Sequence, residues 1–476
     1  MRKTKIVATL GPASSNADTI RAMLGAGMNV VRLNFSHGTH ESHEEVIALF
    51  RQVRDQMGLA AAVLLDTKGP EIRVGLLEGG QALLEPGWRF TLTTESVLGD
   101  ARRVSITYKA LPRQIGEGTR LLIDDGRIAL RALRVTGTEI ECEVETGGAV
   151  KDRKGVNIPG SRLDMPYLSE ADKADLLFGI EHDVDFVAAS FVRRREDVVT
   201  LRKFLDYNGG HRIKIISKIE NMEGIENFDE ILAASDGIMV ARGDMGVEVE
   251  YERLPGLQKK FIKACYSAGK MAITATQMLE SMVSSPNPTR AEITDVANAV
   301  FDGTSAVMLS SESAVGAYPV RAVEVMARIA RQAEKDAFAQ NAYRDIRYFT
   351  DADDTTNAIC DAACTTASDI RAKAIIAVTK SGTTARRMSK FRPQTPIVAA
   401  TPIDKTFHQL ALSWGVYPVQ ARMQNSTDDL FLHAIDCAKQ IDLAENGDTV
   451  VITGGVPLGT TGTTNILKVQ VVGERK

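Results

Sequence analysis

Short apolar runs recur along the chain, each ending in polar residues and each followed by a stretch with helical spacing. They are KIVATLG (5–11), NVVRLNFS (29–36), AAVLLDTKG (61–69), VDFVAASF (184–191), IKIISKIE (213–220), GIMVARGD (237–244), MAITATQ (271–277) and SAVMLSSE (305–312). Their length and β-branched content read as buried strands. The segments between them are amphipathic, as in THESHEEVIALFRQVRDQMG and SEADKADLLFGIEHD, where Ser169 and Asp172 have the spacing of a capping box. Strands alternating with helices imply parallel strands joined by crossover helices. Eight such units predict a closed (β/α)8 TIM barrel with its active site at the C-terminal ends of the strands.

The starts of successive runs are separated by 24, 32, 123, 29, 24, 34 and 34 residues. The third gap holds far more chain than one helix needs. Within 71–160, LEGGQ, EPGW, DDGR, TGTE and TGG punctuate short runs such as RFTLTT and RLLID. Those are turn and strand signals, so an inserted β-rich domain is expected there, leaving the barrel at its catalytic rim as a lid would. After about 350 the pattern restarts with NAICDAACTTASDI, AIIAVTKSGTTARRMSKF, PIVAAT, HQLALSW, VYPVQ, a helix over 427–441, DTVVITGG and ILKVQVV. The expected organisation is a discontinuous barrel (1–70 and 161–345), a β-rich lid domain (71–160) and a C-terminal α/β regulatory domain (346–476).

Bulk properties narrow the class. At 476 residues the chain exceeds one core and accommodates roughly three domains. A net charge of −4 gives no basic surplus for nucleic acid, and no 18-residue apolar run is available to span a membrane. The apolar stretch after the basic start MRKTK is too short for a signal peptide. Five scattered cysteines, an odd number without a framework, point to a reducing cytoplasm. Cys360 and Cys364, one helical turn apart, read as small buried residues, because no further ligands cluster beside them.

The strand ends carry the chemistry. Residues two apart in a strand share a face, so Lys218 and Glu220 in IKIISKIEN project together. The second strand end offers Arg32, Asn34 and Ser36; the third Asp66 and Thr67, then Lys68 and Arg73; the sixth Arg242 and Asp244; the seventh Thr274, Thr276 and Gln277; the eighth Ser310 and Glu312. Glu220 and Asp244 are two hard oxygen ligands on neighbouring strands, suited to magnesium or manganese. The alternative is a salt-bridge network with Lys218 and Arg242. An ammonium beside a dication is reasonable only if an anion lies between them, and a phosphoryl group is such an anion. Asn34, Ser36, Asp66 and Thr67 form a second oxygen cluster with one formal charge, matching a monovalent cation or, more plainly, helix and turn caps. Arg32 and Arg73 could fork a phosphate. His37, His40 and His43 have poor spacing for one helix face and read as solvated or capping. No P-loop motif occurs. TKSGTTAR places Thr379, Lys380, Ser381, Gly382, Thr383 and Thr384 between a strand and a helix start. That is an anion cradle or a simple cap, while GTTGTTN (459–465) is weaker because no convincing helix follows.

TKIVATLGPAS, MNVVRLNFSHG, LLDTKGPEIR, IISKIENMEGI, IMVARGDMGVE, TATQMLESM and PTRAEITDVANAV closely resemble the pyruvate kinase family, in order and over nearly the whole chain, including the lid with IDDGRI and KGVNIPG. The resemblance implies transfer of a phosphoryl group from phosphoenolpyruvate to ADP, giving pyruvate and ATP. It implies Mg2+ or Mn2+ on Glu220 and Asp244 and K+ on Asn34, Ser36, Asp66 and Thr67. Lys218 would stabilise the moving phosphoryl group. The Ala241, Arg242 and Gly243 backbone, with Asp244, Thr276 and Arg32, would seat the substrate. Arg32, Asn34, His37, Arg73 and Lys154 would contact the nucleotide, and Ser310 would lie on the proton-handling side with Glu312. It further implies a phosphorylated allosteric effector on the C-terminal domain and a cytoplasmic homotetramer. Glu71 stands where potassium-independent relatives carry lysine, so K+ activation is expected. Two departures are MLSSE, with Ser311 in place of the family's common glycine, and the loop GGVPLGTTGTTN, which leaves open whether the effector is a sugar monophosphate, a bisphosphate or AMP. A metal-dependent barrel lyase or aldolase would need neither lid nor potassium cluster. A non-catalytic sugar-phosphate sensor would not need every catalytic position filled.

Overall fold

The computed structural model describes residues 1–343, 354–458 and 464–474. Eight strands close a barrel: β1 Lys5–Thr9, β2 Val30–Asn34, β3 Ala62–Asp66, β4 Phe186–Ala189, β5 Lys214–Ile219, β6 Gly237–Ala241, β7 Met271–Ala275 and β8 Ala306–Leu309. Neighbours pair in parallel, and β1 closes the ring on β8, with Lys5 opposite Ala306 and Ala8 opposite Leu309. Alternate residues of each strand fill the interior: Val7, Val30, Leu64, Ala188, Ile216, Met239, Ile273 and Met308 belong to one buried cluster. The opposite parity, such as Ile6, Val31, Val63, Val187 and Ile215, packs against the surrounding helices. Both faces are thereby buried, which is why these strands read as continuous apolar runs. The capping box expected at Ser169 and Asp172 starts the helix Glu170–Glu181.

The chain leaves the barrel after β3 and re-enters before β4. The excursion builds a seven-stranded, mostly antiparallel sheet whose edge strand Ile72–Arg73 pairs with Gly155–Asn157, and a separate two-stranded ribbon, Gln81–Leu84 with Gly148–Lys151. It has its own core, including Phe90, Leu92, Leu130 and Val144.

The third unit is a five-stranded sheet of β9 Ala374–Val378, β10 Ile397–Thr401, β11 Val416–Gln420, β12 Thr449–Gly455 and β13 Thr464–Val471. Its order is β11-β10-β9-β12-β13, with only β13 antiparallel. Strand order reverses between β9 and β12, the topological switch point where open α/β sheets form ligand crevices. The junction placed at 345/346 and residues 459–463 of GTTGTTN lie outside the described residues. This unit docks on the N-terminal mouth of the barrel. Leu412 joins the barrel's interior cluster as a plug. Lys5 Nζ donates to the Val416 carbonyl at 2.6 Å, Gly415 N to the Lys3 carbonyl at 3.0 Å, and Gln409 Nε2 to the Arg212 carbonyl at 2.8 Å. Among the described residues no helix is long and apolar enough to cross a membrane.

Candidate active site

The inward parity of the strands continues past the apolar layers to the C-terminal rim. There it presents Thr9, Arg32, Asp66, Ser190, Lys218 and Ser310, two residues beyond interior members of their own strands. Asp66 is the hub. Its carboxylate accepts from Arg32 Nε at 2.6 Å and from Ser190 Oγ at 3.2 Å, and lies 3.2 Å from Lys218 Nζ. Lys218 Nζ also donates to Ser190 Oγ at 2.9 Å and sits 2.9 Å from Glu220 Oε1. Arg32 reaches Thr9 Oγ1 at 3.0 Å. Asp66 and Glu220 are each 1% exposed. Burial alone would depress the Lys218 ammonium, but Asp66, Glu220 and Asp244 outweigh it and hold the lysine charged above its ordinary range. Burial would raise Asp66, yet Arg32 and Lys218 keep it below the usual carboxylate range.

Glu220 behaves differently. Burial pushes its carboxyl up, Lys218 pulls it back, and Asp244 adds to the rise, leaving it at about 8. One oxygen accepts from Phe191 N at 2.6 Å. The other, Oε1, is buried beside Lys218 but makes no well-formed hydrogen bond. Such an oxygen is costly unless something else completes it. A hard dication held by Glu220 and Asp244 would do so and would favour the ionised carboxyl. Among the described residues no cluster of three or more acidic, histidine or cysteine side chains forms a closed metal cage. Two carboxylates with open positions suit Mg2+ or Mn2+, which complete their shells with water and substrate oxygens. Asp244 opens into a cleft of about 370 Å3 between barrel and lid, shared with Glu71, Asp125 and Glu248. All three have carboxyls raised by burial, with Asp244 adding to each rise.

The other expected residues divide. Asn34 Oδ1 accepts from Ser36 N at 3.2 Å, and Asn34 stands opposite Asp66 in the β2–β3 register. Thr67 Oγ1 donates to the Ala188 carbonyl at 3.3 Å and accepts from Ser190 N at 3.2 Å. This set, one carboxylate already balanced by two cations plus neutral oxygens, matches a monovalent ion better than a second dication. Gly243 N donates to Thr276 Oγ1 at 2.8 Å, joining the ends of β6 and β7. Thr276 and Gln277 have φ of 69° and 55°, a left-handed pair unusual for side-chain-bearing residues. Thr274 is out of phase: it donates to Thr304 Oγ1 at 2.9 Å, away from the rim. The Arg242 side chain also turns away, to Asp295 at 2.7 Å and the Thr276 carbonyl at 2.6 Å, so only its backbone remains near Gly243.

A second cleft of about 820 Å3 collects Arg32, Asn34, His37 and Ser310 with Ser311. Ser310 N donates to Glu312 Oε2 at 2.7 Å, and Leu279 N donates to Glu312 Oε1 at 3.0 Å, so Glu312 braces the loop. Ser311 begins a short helix and is not among the left-handed residues, so this position carries no backbone reason to be glycine. His40 pairs with Asp175 at 2.7 Å, and His43 stacks on Phe35 with centroids 4.2 Å apart. His40 and His43 thus engage separate partners. In the lid, Lys154 pairs with Asp124 at 2.7 Å, and Arg73 pairs with Glu71 and the Arg153 carbonyl. Neither reaches the Lys218 network in this conformation.

The strand-end reading of the sequence missed Thr9 and Ser190. Both were findable: each continues its strand's inward parity, Val7 to Thr9 and Ala188 to Ser190. Phe191, whose backbone N–H orients Glu220 from a φ of 52°, had no sequence signal.

At the switch point of the C-terminal sheet, Thr379, Lys380, Ser381, Thr383 and Thr384 line a cavity with Arg422 and His433 from the opposite wall. Gly382 has φ 79° and its N–H takes Thr379 Oγ1 at 3.0 Å, starting the helix Thr383–Lys390. The left-handed φ favours glycine here; a Cβ would come closest to the movable end of the Arg386 side chain, at 2.6 Å. Arg422 and His433 lie 38 and 49 residues beyond Thr384 in the chain, and only the sheet brings them to the motif.

Comparison with known proteins follows the same division. The family profile described as pyruvate kinase, barrel domain, matches residues 1–323, and that described as pyruvate kinase, alpha/beta domain, matches 357–470. The chain is 47% identical to a pyruvate kinase of Clostridium acetobutylicum over 99% of this chain and all of that protein. It is 47% identical to one of Geobacillus stearothermophilus over 99% of this chain and 81% of that protein, and 46% identical to one of Staphylococcus haemolyticus over its whole length and 81% of that protein.

Proposed function

This chain belongs to the pyruvate kinase family, transferring the phosphoryl group of phosphoenolpyruvate to ADP with formation of pyruvate and ATP, and we propose that the Lys218–Glu220–Asp244 group carries that transfer. The observation behind this reading is the pairing of Lys218 Nζ, 2.9 Å away, with a buried, incompletely satisfied Glu220 oxygen at the barrel rim. The family works with a divalent metal and potassium. In this chain Glu220 and Asp244 would hold the divalent ion, which supplies neutralisation of charge on the phosphoryl oxygens, and Asn34, Ser36, Asp66 and Thr67 would hold K+.

The residues have a definite electrostatic task. Two like charges 4 Å apart repel by about 4 kcal/mol at an effective dielectric near 20, and both substrates are polyanions. Lys218 faces the transferring group as a fixed ammonium, with Asp66 and Ser190 holding it in place. Arg32 is fixed by Asp66 and Thr9 and meets the donor and acceptor phosphates. The Ala241–Gly243 backbone and Thr276 seat the carboxylate end of phosphoenolpyruvate, with Ser310 across the pocket. Asn34 and His37 contact the nucleotide in the adjoining cleft, and Arg73 and Lys154 exchange their lid carboxylates for phosphate as the lid closes and excludes water.

The Thr379–Thr384 loop would bind the phosphate of an allosteric effector. Thr406 Oγ1 donates to the Lys380 carbonyl at 2.8 Å, and its neighbour Lys405 donates to the Val184 carbonyl below β4 at 2.7 Å, giving the loop a route to the barrel. A homotetramer is the assembly proposed. A groove between the helices Arg290–Phe301 and Pro319–Ala339, where Ile293, Val325 and Ile329 lie among Arg321, Arg328 and Arg331, is the surface offered to it. Five buried cysteines, none in a disulfide, support a reducing cytoplasm.

The test is Glu220→Gln in an ADP-dependent, lactate-dehydrogenase-coupled assay titrated with Mg2+. The half-activating metal concentration should rise by roughly 10²-fold or more, with turnover depressed at saturation. An unchanged Mg2+ dependence would remove the metal from this pair.

A further inference from the structure

The lid is joined to the barrel by two stretches of chain. Residues 67–71 lead out from β3, and residues 158–169 return from the strand Gly155–Asn157 to the helix Glu170–Glu181. Both meet Ser190, the first residue after β4. On the outgoing stretch Gly69 has φ 73°, and a Cβ there would lie 2.9 Å from both the carbonyl oxygen and the Cβ of Ser190. On the returning stretch the Tyr167 hydroxyl donates to the Ser190 carbonyl at 3.2 Å. Asp172 fastens the two stretches together, accepting from Gly69 N at 3.0 Å and from Ser169 N at 3.0 Å. Three residues beyond Ser190, Arg193 donates to the Leu163 and Met165 carbonyls at 3.0 and 2.9 Å. The loop at the end of β4 is thus the seat of the lid's root.

The same residue reaches the reacting centre through its side chain. Ser190 is 1% exposed. Its oxygen accepts from Lys218 Nζ at 2.9 Å, and its single proton has the Thr67 carbonyl at 2.7 Å and Asp66 at 3.2 Å as acceptors. Its backbone N–H donates to Thr67 Oγ1 at 3.2 Å. The hydroxyl both donates and accepts, so it cannot rotate without breaking a buried hydrogen bond. The other two partners of Lys218, Asp66 and Glu220, are carboxylates, and in the reading above each is also drawn on by a cation. Ser190 is uncharged and is drawn on by neither ion. A shift of its main chain therefore reaches the ammonium through one short side chain.

We infer that Ser190 is a positioning residue for the phosphoryl transfer: its hydroxyl fixes the Lys218 ammonium, and its main chain, held between Gly69 and Tyr167, ties that position to the placement of the lid's root. The inference rests on the role given to Lys218 above and adds the residue through which the lid acts on it.

A double-mutant cycle tests it, since residues that act through one another lose additivity. Ser190→Ala in the full-length enzyme should lower kcat by about 10- to 100-fold at saturating substrates, Mg2+ and K+. The KM for ADP should stay within about twofold of wild type. In the Lys218→Met background, followed with radiolabelled phosphoenolpyruvate over hours, the same change should cost less than about twofold. Tyr167→Phe keeps the ring and removes the hydroxyl that holds the Ser190 carbonyl. It should lower kcat by about threefold or more, with no further effect once Ser190 is replaced by alanine. A purely structural Ser190 would slow both backgrounds equally. Full additivity with Lys218→Met, or a wild-type kcat for Tyr167→Phe, overturns the inference. Near-normal turnover of Lys218→Met alone would instead remove the role of Lys218 on which it rests.

Discussion

Lys5 and Lys218 occupy equivalent positions at opposite mouths of one barrel. Each continues the inward parity of its strand, Lys5 below Val7 and Lys218 above Ile216; Lys5 is buried and the Lys218 side chain is 11% exposed. Their environments are opposite. Lys218 has Asp66 and Glu220 within 3.2 Å and is held charged. Lys5 donates to a backbone carbonyl. Burial depresses it to about 7, helped by Arg2 and Lys3 and only partly opposed by Glu334. Glu334 is itself occupied with the Lys3 and Thr4 backbone N–H groups. The same side chain is therefore favoured as a positive charge at one end and, at the other, is an interdomain donor whose charge burial disfavours. Carboxylate placement, rather than depth, makes the difference.

Exchanging each lysine for methionine is the sharpest way to break this contrast. Lys218→Met should leave the fold intact and slow turnover by several orders of magnitude, because a charge aimed at the transferring phosphoryl group is lost. Stopped-flow or coupled assays at saturating substrates measure it, and near-normal turnover would end the role assigned to Lys218.

Replacing K+ by Na+ or tetramethylammonium tests the cluster beside Asp66. Turnover should fall by at least about tenfold, since Asp66 alone cannot order the neutral oxygens of Asn34, Ser36 and Thr67 around a poorly fitting cation. Equal activity with tetramethylammonium would refute potassium dependence and the weight given to Glu71.

Lys5→Met addresses stability instead. The folded-state value of about 7 lies below the unfolded one of about 10.4. Between these values the unfolded chain binds a proton that the folded chain does not. Stability contributed by this group therefore rises as pH increases through that window and is lost toward pH 7. Wild type should gain about 2 kcal/mol more than Lys5→Met between about pH 7.5 and 9.5, read from urea unfolding midpoints. Parallel pH curves would show that Lys5 stays charged in the folded protein.

The smallest effect is expected at Thr406→Val. It deletes one neutral hydrogen bond to the Lys380 carbonyl in the Thr379–Thr384 loop, worth about 1 kcal/mol. Activation by sugar phosphates or AMP should require a few-fold higher concentration, with basal activity unchanged. An unaltered activation curve would exclude this route between the domains.

The amino-acid sequence by itself determined the eight parallel strands, the excursion after β3 and the Gly382 turn. Period-two alternation, turn residues and crossover spacing are local properties that the chain carries wherever it folds. The same alternation determined which strand-end residues face inward, and it extends to Thr9 and Ser190. Only the tertiary structure decided what those residues meet: that Arg242 turns to Asp295, that Lys154 rests on Asp124, that Arg422 and His433 complete the cavity at the Thr379–Thr384 loop, and that Lys5 and Lys218 diverge. Ion pairing and desolvation depend on distances across the closed ring and between domains, between residues tens to hundreds of positions apart. No local pattern encodes those distances.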